Sequence, residues 1–210
     1  MTITASMVEI RPATPDQAER AAVLLYSTAA PVFDFLYGGD PAFCMRILAE
    51  QWQADESLLS HRHAMGAYDD EGNLLGLELG FDYDAMAVAL AGSQAVIRAN
   101  AEPEQLRRIA AATDQLNYLS PNTPLGEYCV ENLAVTDTVK IHGLGRRLLE
   151  GAFARAKATG YKAVCLDVLD GNPAFGFYLH LGMHLACEVR LPGLIEQCGL
   201  PAVLRMTKAV

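Results

Sequence analysis

The chain lacks the features of a disulfide-stabilised, zinc-binding or membrane-spanning protein. Its five cysteines are an odd number, and no two of them stand in a CxxC spacing. Most of them lie in apolar stretches, where a free thiol packs like a small hydrophobic side chain, so we expect a reducing, cytoplasmic environment. The most apolar stretch, 85–92, is far shorter than the roughly 20 residues of a membrane-spanning helix. We therefore expect no disulfide framework and no membrane association.

Positive charge is also scarce. The sequence has 16 Lys and Arg residues against 25 Asp and Glu residues, a formal net charge of -9. This balance disfavours nonspecific binding to nucleic acid or to anionic membranes. His61 and His63 have the spacing of neighbours on one strand face, but no third ligand follows at a suitable distance. We therefore expect neither a nucleic-acid partner nor a bound metal.

What remains is the composition of a globular domain. The chain has 210 residues, 51% of them apolar, and no linker rich in proline or serine separates two apolar halves. We predict a single domain over 1–210. Because a strand pattern begins at Met7, residues 1–6 are either a vector-derived extension or an alternative start, and no secretory signal is recognisable in them.

The hydrophobic pattern alternates between strand and helix periods, which predicts a mixed α/β fold. Strands are predicted at 8–11, 63–68, 74–83, 128–135, 161–168, 183–191 and 202–207. Helices are predicted at 14–29, 40–54, 143–159 and 173–180, with about two more between 84 and 116. Residues 14–17 have a capping-box pattern that begins at Thr14, Pro31 is expected to end the first helix, and Asp40 before Pro41 is expected to cap the second. The segment 84–125 is longer than a hairpin connection and reads as an insertion of helices and loops.

The most informative segment follows the strand at 128–135. A polar loop leads into Lys140-x-x-Gly143-x-Gly145, where a helix begins. Glycines at a helix start let a ligand approach the backbone, and the free amide groups there bind anions, above all phosphate. The missing third glycine, with Leu148 in its place, argues against a dinucleotide fingerprint, and no GxxxxGK[ST] loop is present.

In these residues the sequence resembles the GNAT superfamily of acetyl-CoA-dependent N-acetyltransferases. The pyrophosphate motif of that superfamily is [Arg/Gln]-x-x-Gly-x-[Gly/Ala], and this chain departs from it only by Lys140. A second family motif, Asn-x-x-Ala-x-x-[Phe/Leu]-Tyr followed by Leu-Gly, is similar to residues 171–183. Aligned on Ala174 and Tyr178, the second motif places Asn172 one position after the family asparagine.

The resemblance implies a fold and a cosubstrate. The fold is a central, mostly antiparallel twisted sheet with a splayed parallel strand pair at the CoA site, flanked by helices, with a helical insertion before the cofactor-binding strand. The cosubstrate is acetyl-CoA, without a metal. The residues implied in binding it are Leu133, Ala134, Val135, Lys140, His142, Gly143, Leu144, Gly145, Arg146, Arg147, Asn172 and Tyr178.

The resemblance also implies two catalytic roles. Tyr178 would protonate the departing CoA thiolate as a general acid. The attacking amine needs a base, and Glu131 is the best candidate by position, two residues before Leu133 on the same strand. The alternatives are residues of the preceding strand and its end, namely Glu78, Asp82 and Tyr83.

The resulting hypothesis is an N-acetyltransferase that acetylates a primary amine of a small molecule or peptide. The negative net charge favours a cationic acceptor such as a polyamine, an aminoglycoside, an amino-acid amine or a basic peptide terminus. The alternative is a noncatalytic, CoA-binding regulatory module. The insertion at 84–125 would either pack over or beside the acceptor cleft or form a homodimer interface.

Overall fold

One mixed sheet organises the molecule. The computed structural model describes residues 8–138 and 141–210, and within these ranges seven strands lie in the order β1-β2-β3-β4-β5-β7-β6. All neighbouring strands are antiparallel except β4 and β5, which are parallel. The strands are β1 (Glu9–Pro12), β2 (Ala64–Tyr68), β3 (Leu74–Phe81), β4 (Glu127–Val135), β5 (Ala163–Leu169), β6 (His184–Val189) and β7 (Val203–Ala209). This arrangement confirms the predicted sheet with its parallel pair.

Helices occupy the connections between the strands. They are α1 (Ala18–Thr28), α2 (Ala30–Tyr37), α3 (Pro41–Gln53), α4 (Tyr83–Asn100), α5 (Pro103–Leu116), α6 (Leu144–Thr159), α7 (Ala174–His180) and α8 (Pro192–Cys198). No helix within the described ranges is long and apolar enough to cross a membrane.

Local signals account for several helix ends. Asp40 caps α3 as predicted, since its side chain accepts a hydrogen bond from the backbone N–H of Phe43 at 3.0 Å. The predicted capping box at Thr14 is wrong: the Thr14 side chain makes no capping bond, and residues 15–17 form a 3-10 turn before α1. Pro31 was expected to end a helix but lies in the first turn of α2, a position that proline favours.

Two further expectations differ from the structure. Helix α8 was not predicted, although Pro192 in its first turn and Gly199, with a φ of 67°, at its end are ordinary start and stop signals. His61 and His63 belong to a 3-10 turn rather than to a strand face. The described residues contain no group of three or more His, Cys, Asp or Glu side chains that could hold a metal ion.

The two faces of the sheet bury separate apolar clusters. On one face α1 and α3 pack against β2 and β3, with Leu25, Ile47 and Trp52 fully buried. On the other face α6 and α7 pack against β4, β5 and β7, around Leu149 and Met206. The sheet is therefore covered on both faces, and β4 contributes to both clusters, through Ala134 on one face and Val130 on the other.

The inserted helices α4 and α5 pack on α2 and α3. The Ser93 hydroxyl donates to Gln51 Oε1 at 2.5 Å, and Arg108 donates to the carbonyl oxygen of Tyr37 at 2.9 Å. The chain then returns to β4 through residues 117–126. This connection, rather than the two helices, brings a part of the insertion to the site described below, through Ser120.

We expect the buried face of α1 to contribute strongly to stability. Leu25→Ala should lower the free energy of unfolding by about 3 kcal/mol, because Leu25 is 0% exposed and its removal leaves a cavity. Val23→Ala, on the same helix but 57% exposed, should change it by less than about 0.5 kcal/mol. Urea unfolding followed by circular dichroism measures both, and equal effects would contradict this packing.

Candidate active site

The parallel strands β4 and β5 stay together for only half of their length. Their pairing runs from Glu127 opposite Ala163 to Val130 opposite Leu166 and ends there. Each strand continues beside its other neighbour, β4 beside β3 as far as Val135 and β5 beside β7 as far as Leu169. The sheet therefore opens between β4 and β5 beyond Val130.

A β-bulge marks the point where the strands separate. Val130 pairs with Gly80 and Asn132 pairs with Leu79, so Glu131 is an extra residue in β4. Bulges bend a strand and redirect the side chain at the extra position. The next residue is anchored to the helical layer, since the Asn132 amide donates to Thr28 Oγ1 at 2.8 Å.

Backbone groups of β4 face the opening. The N–H of Thr136 donates to the carbonyl oxygen of Leu75 on the β3 side, at 2.8 Å. Because hydrogen-bonding direction alternates along an antiparallel pair, Ala134 also points its backbone groups toward β3. Leu133 and Val135 point theirs away from β3, toward the side where β5 has separated.

The opening forms a cleft of about 400 Å³. Its walls come from β4 and β5 beyond their last pair, from α7 and the turn before it, from the junction of α1 and α2, and from single residues of the 117–126 connection and of β7. The residues that line it are Ser27, Thr28, Ala29, Val32, Ser120, Val130, Glu131, Leu133, Ala134, Val135, Leu166, Asp167, Val168, Leu169, Asn172, Ala174, Tyr178 and Val203. The junction of α1 and α2 and the helix α7, far apart in sequence, thus line the same β4–β5 opening.

Tyr178 contributes an available proton to this cleft. The side chain is only 8% exposed, and burial raises the pKa of its hydroxyl to about 12, so it stays protonated at neutral pH. Among the described residues its hydroxyl has no hydrogen-bond partner, although it lies on the cleft wall. It is therefore able to donate to a group bound in the cleft.

Glu131 is the carboxylate best placed to accept a proton. It is exposed toward the cleft, where the surrounding protein, and then the nearby charge of Asp167, raise its pKa above the ordinary value. A carboxylate with a raised pKa is a better general base. The bulge therefore places a carboxylate with a raised pKa in the same cleft as Tyr178.

The three alternative bases have other partners or positions, and none of them lines the cleft. Glu78 is buried on β3, where it pairs with Arg155 of α6 and accepts a hydrogen bond from the Tyr128 hydroxyl at 3.2 Å. Asp82 caps α4 and accepts a hydrogen bond from the Tyr161 hydroxyl at 2.5 Å. Tyr83 lies in the first turn of α4, 49% exposed.

Asn172 lies at the entrance to α7 and lines the cleft. Its Oδ1 accepts a hydrogen bond from the backbone N–H of Ala174 at 2.9 Å. The side chain therefore caps the first turn of α7, and its amide nitrogen has no partner among the described residues.

The start of α6 borders the cleft. Gly143 precedes the helix with a φ of 83°, a conformation that favours glycine. The first intrahelical bond runs from the N–H of Arg147 to the carbonyl oxygen of Gly143, at 3.0 Å, so the N–H groups of Gly145 and Arg146 have no helical acceptor. A Cβ added at Gly145 would lie 3.7 Å from a methyl group of Val135, which is part of the cleft wall.

The cations of this segment have different surroundings. His142 is exposed, and Arg146 forms an exposed ion pair with Glu150 at 3.1 Å. Arg147 donates to the carbonyl oxygen of Val8 at 3.0 Å. Lys140 lies outside the described residues, and its role stays a prediction.

Two residues of the cleft region were missed by sequence reasoning. Asp167 lines the cleft from β5, and Arg205 of β7 donates to both of its carboxylate oxygens at 2.5 and 2.7 Å. Arg205 is only 5% exposed. An arginine inside the apolar run of 202–206 was a signal that could have been used, since a buried charge requires a partner.

Comparison with solved structures identifies this architecture. No family model matches the sequence, and no curated protein matches it significantly. A structure described as an acetyltransferase superposes with a TM-score of 0.71 at 20% identity, over 96% of this chain and 99% of its own. An N-acetyltransferase from Staphylococcus aureus Mu50 gives 0.70 at 14% identity, over 95% and 100%. The PaiA N-acetyltransferase from Thermoplasma acidophilum, in complex with coenzyme A, gives 0.53 at 15% identity, over 97% and 99%.

The chain has the GNAT fold. The superpositions cover nearly the whole chain, so the match extends over the sheet and its flanking helices. Within this GNAT fold, the first sequence motif begins α6 near Val135 of the cleft wall, although none of its described residues lines the cleft. The second motif forms α7, whose Tyr178 does line it.

The buried pair of Glu78 and Arg155 generates a pH prediction. Burial raises the pKa of Glu78 from 4.5 to about 7, against the opposing effect of Arg155. The folded state then holds this proton more tightly than the unfolded chain, so the stability it contributes is complete below pH 4.5 and is lost as the pH rises through 7. Glu78→Gln should flatten the fall in unfolding free energy between pH 5 and 8, as measured by urea titration.

Glu127→Gln is the matched control, since Glu127 is half-buried at the start of the neighbouring strand. It should leave the pH profile of stability unchanged. A profile of Glu78→Gln that superposes on that of the wild type would contradict the raised pKa.

Proposed function

We propose that the protein is an acetyl-CoA-dependent N-acetyltransferase that acetylates a primary amine of a small molecule or peptide. The observation that carries the proposal is one cleft, opened by the separation of β4 and β5, that holds both the unpartnered hydroxyl of Tyr178 and the carboxylate of Glu131. The solved structures of similar fold, described as acetyltransferases and in one case holding coenzyme A, support it.

The residues present fit coenzyme A. Its pyrophosphate suits the N–H groups of Gly145 and Arg146, which lack helical acceptors at the positive end of the α6 dipole. Arg146 and Arg147 add positive charge there, with His142 and Lys140 as further proposed contacts. Gly143 and Leu144 would supply further backbone contact at this turn.

The rest of the cofactor would follow the cleft wall. Its amide-containing arm suits the backbone groups of Leu133 and Val135, which have lost β5 as a partner. Ala134 would contribute its surface, because its own backbone groups belong to the ladder with β3. Asn172, at the entrance to α7, offers an unpartnered amide nitrogen on the opposite wall.

Bound acetyl-CoA would supply an acetyl group activated as a thioester. A backbone N–H of β4 would polarise the carbonyl oxygen, since donors fixed in advance stabilise the charge that develops there. Glu131 would accept the proton of the attacking amine, directly or through water, and Tyr178 would donate its proton to the departing sulfur. The raised pKa of each group suits its role.

The cleft favours this enzyme over a regulatory module that only binds CoA. A binding site alone would need the α6 start and the edge of β4, but neither the Glu131 carboxylate nor the free Tyr178 hydroxyl.

We also propose a cytoplasmic location. Three of the five free cysteines are buried as thiols, which suits a reducing compartment.

Coenzyme A binding should depend on the α6 start. Gly145→Asp places a carboxylate beside the proposed pyrophosphate site, and we expect it to weaken CoA binding at least tenfold while the fold survives, because an acidic residue is favourable in the first turn of a helix. Calorimetric titration measures the affinity.

In a thermal-shift assay, the wild type should be stabilised by acetyl-CoA and CoA but not by NAD.

Gly145→Ala is the control for the charge. Its Cβ would meet Val135 and Phe177 at 3.7 Å, an ordinary contact, so CoA binding should stay within about threefold of the wild type. Undiminished binding by Gly145→Asp, or the absence of any CoA-specific stabilisation of the wild type, would refute the cofactor site.

Tyr178 should act on turnover rather than on cofactor affinity. Tyr178→Phe removes only the hydroxyl, so we expect kcat, measured as the rate at which free CoA is produced, to fall about 100-fold. This loss is within the range for a missing general acid. The affinity for CoA should change less than twofold. Tyr118→Phe, at a tyrosine 73% exposed and outside the cleft, should have no effect. Unchanged turnover of Tyr178→Phe would remove this residue from the mechanism.

A further inference from the structure

The charges that face the cleft are few. Among the described residues that line it, Glu131 and Asp167 are the only acidic side chains, and none is Lys, Arg or His. Both carboxylates belong to the two separated strands. An acceptor amine would therefore meet these two groups together with the apolar side chains and the hydroxyl groups around them.

Asp167 already has a cation of its own. Arg205 donates to both of its oxygens, and the same guanidinium donates to the carbonyl oxygens of Pro121 at 2.7 Å and Asn122 at 3.1 Å. Arg205 is thus fully engaged behind the cleft wall and neutralises Asp167. Glu131 forms no ion pair among the described residues, and the charge of Arg205 is only the last and smallest of the effects on its pKa. Glu131 is therefore the one carboxylate of the described cleft lining without a bound cation.

One part of the cleft wall is apolar. Val32 of α2, Leu169 of β5 and Val203 of β7 line it. These side chains pack against a satellite cluster of buried leucines from the 117–126 connection and from α8 and its end, namely Leu119, Leu194 and Leu200. A second charged group on the acceptor would meet this wall without a partner, at a free-energy cost.

We propose that the acceptor is a monoamine carried on an apolar body, without a carboxylate next to the amine and without a second ammonium group. The carboxylate of Glu131, which has no bound cation, recognises one ammonium group, and the absence of Lys, Arg and His from the described cleft lining disfavours an amino acid. This inference rests on the proposed function. The net charge of -9 alone favours cationic acceptors in general, including polyamines and amino-acid amines. The proposal selects a narrower class of acceptor because it uses the positions of the charges in the cleft, which the net charge does not give.

Two matched pairs of acceptors test the proposal. 2-Phenylethylamine and phenylalanine differ by a carboxylate, and hexylamine and 1,6-diaminohexane differ by a second amine at equal length. We expect kcat/KM to favour the monoamine at least tenfold in each pair. Without acetyl-CoA, hexylamine should raise the melting temperature more than 1,6-diaminohexane does, and Glu131→Gln should abolish this stabilisation whereas Glu127→Gln should not.

A substitution in the apolar wall provides an independent test. Val32→Glu adds a carboxylate at a half-buried position of the wall, so the ratio of kcat/KM for 1,6-diaminohexane to that for hexylamine should rise at least tenfold. Val23→Glu, at an exposed position of α1 that does not line the cleft, should leave the ratio unchanged. If Val32→Glu does not fold, the two matched pairs of acceptors, assayed with the wild-type protein, still test the proposal.

The outcomes separate this inference from the proposed function. Preference for phenylalanine or for the diamine, with acetylation observed, overturns the acceptor class but leaves the N-acetyltransferase standing. CoA-specific stabilisation without acetylation of either monoamine overturns the acceptor class, whereas the absence of CoA-specific stabilisation overturns the proposed function itself.

Discussion

The separation of β4 from β5 after Val130 and Leu166 is the constraint on which the rest of the site depends. Inside a sheet, every backbone N–H and C=O of a central strand is bonded to a neighbour, and a buried group left without a partner costs roughly 1–3 kcal/mol. Beyond Val130 the edge of β4 gives up half of these bonds. The fold sustains this only because β3, the Asn132–Thr28 bond and the β5–β7 ladder hold the two strands in place. The released backbone groups are then available to a ligand.

The same separation determines the electrostatics. Residues 131 and 167 come just after the last paired residues of β4 and β5, so two carboxylates enter one cleft. Burial, and then the charge of Asp167, raise the pKa of Glu131. Arg205 pairs with Asp167, and its remaining donors fix the 121–122 carbonyl groups of the connection into β4. Glu131 is thereby left without a bound cation, and the loop that carries Ser120 is held at the cleft wall.

Local sequence signals predicted the parts of the molecule that are built locally. The glycines of the α6 start, the Asp40 cap and the strand at 128–135 depend on neighbours within a few residues, and the structure has them where the sequence placed them. The choice among candidate bases could not be made in this way. Whether Glu131 or Glu78 faces the cleft depends on a one-residue bulge and on Arg155, 77 positions away from Glu78. The pair of Asp167 and Arg205 likewise joins two strands 38 positions apart.

Net charge and local charge favour different acceptors: the net charge of -9 favours cationic amines in general, whereas the cleft lining favours the monoamine that we propose. A surplus of nine negative charges acts at long range and is screened within about 8–10 Å at physiological salt, so it affects how fast a cationic molecule arrives but not what the cleft holds. In the proposed function, what the cleft holds would be decided at contact distance, by the carboxylate of Glu131 and by a wall of Val32, Leu169 and Val203. Because α8 and the 117–126 connection supply the leucines behind that wall, acceptor selectivity would reside in the connections of the fold, whereas the proposed cofactor contacts belong to β4 and α6. Substitutions in these connections would then change the acceptor without disturbing the backbone groups that the separated strands expose.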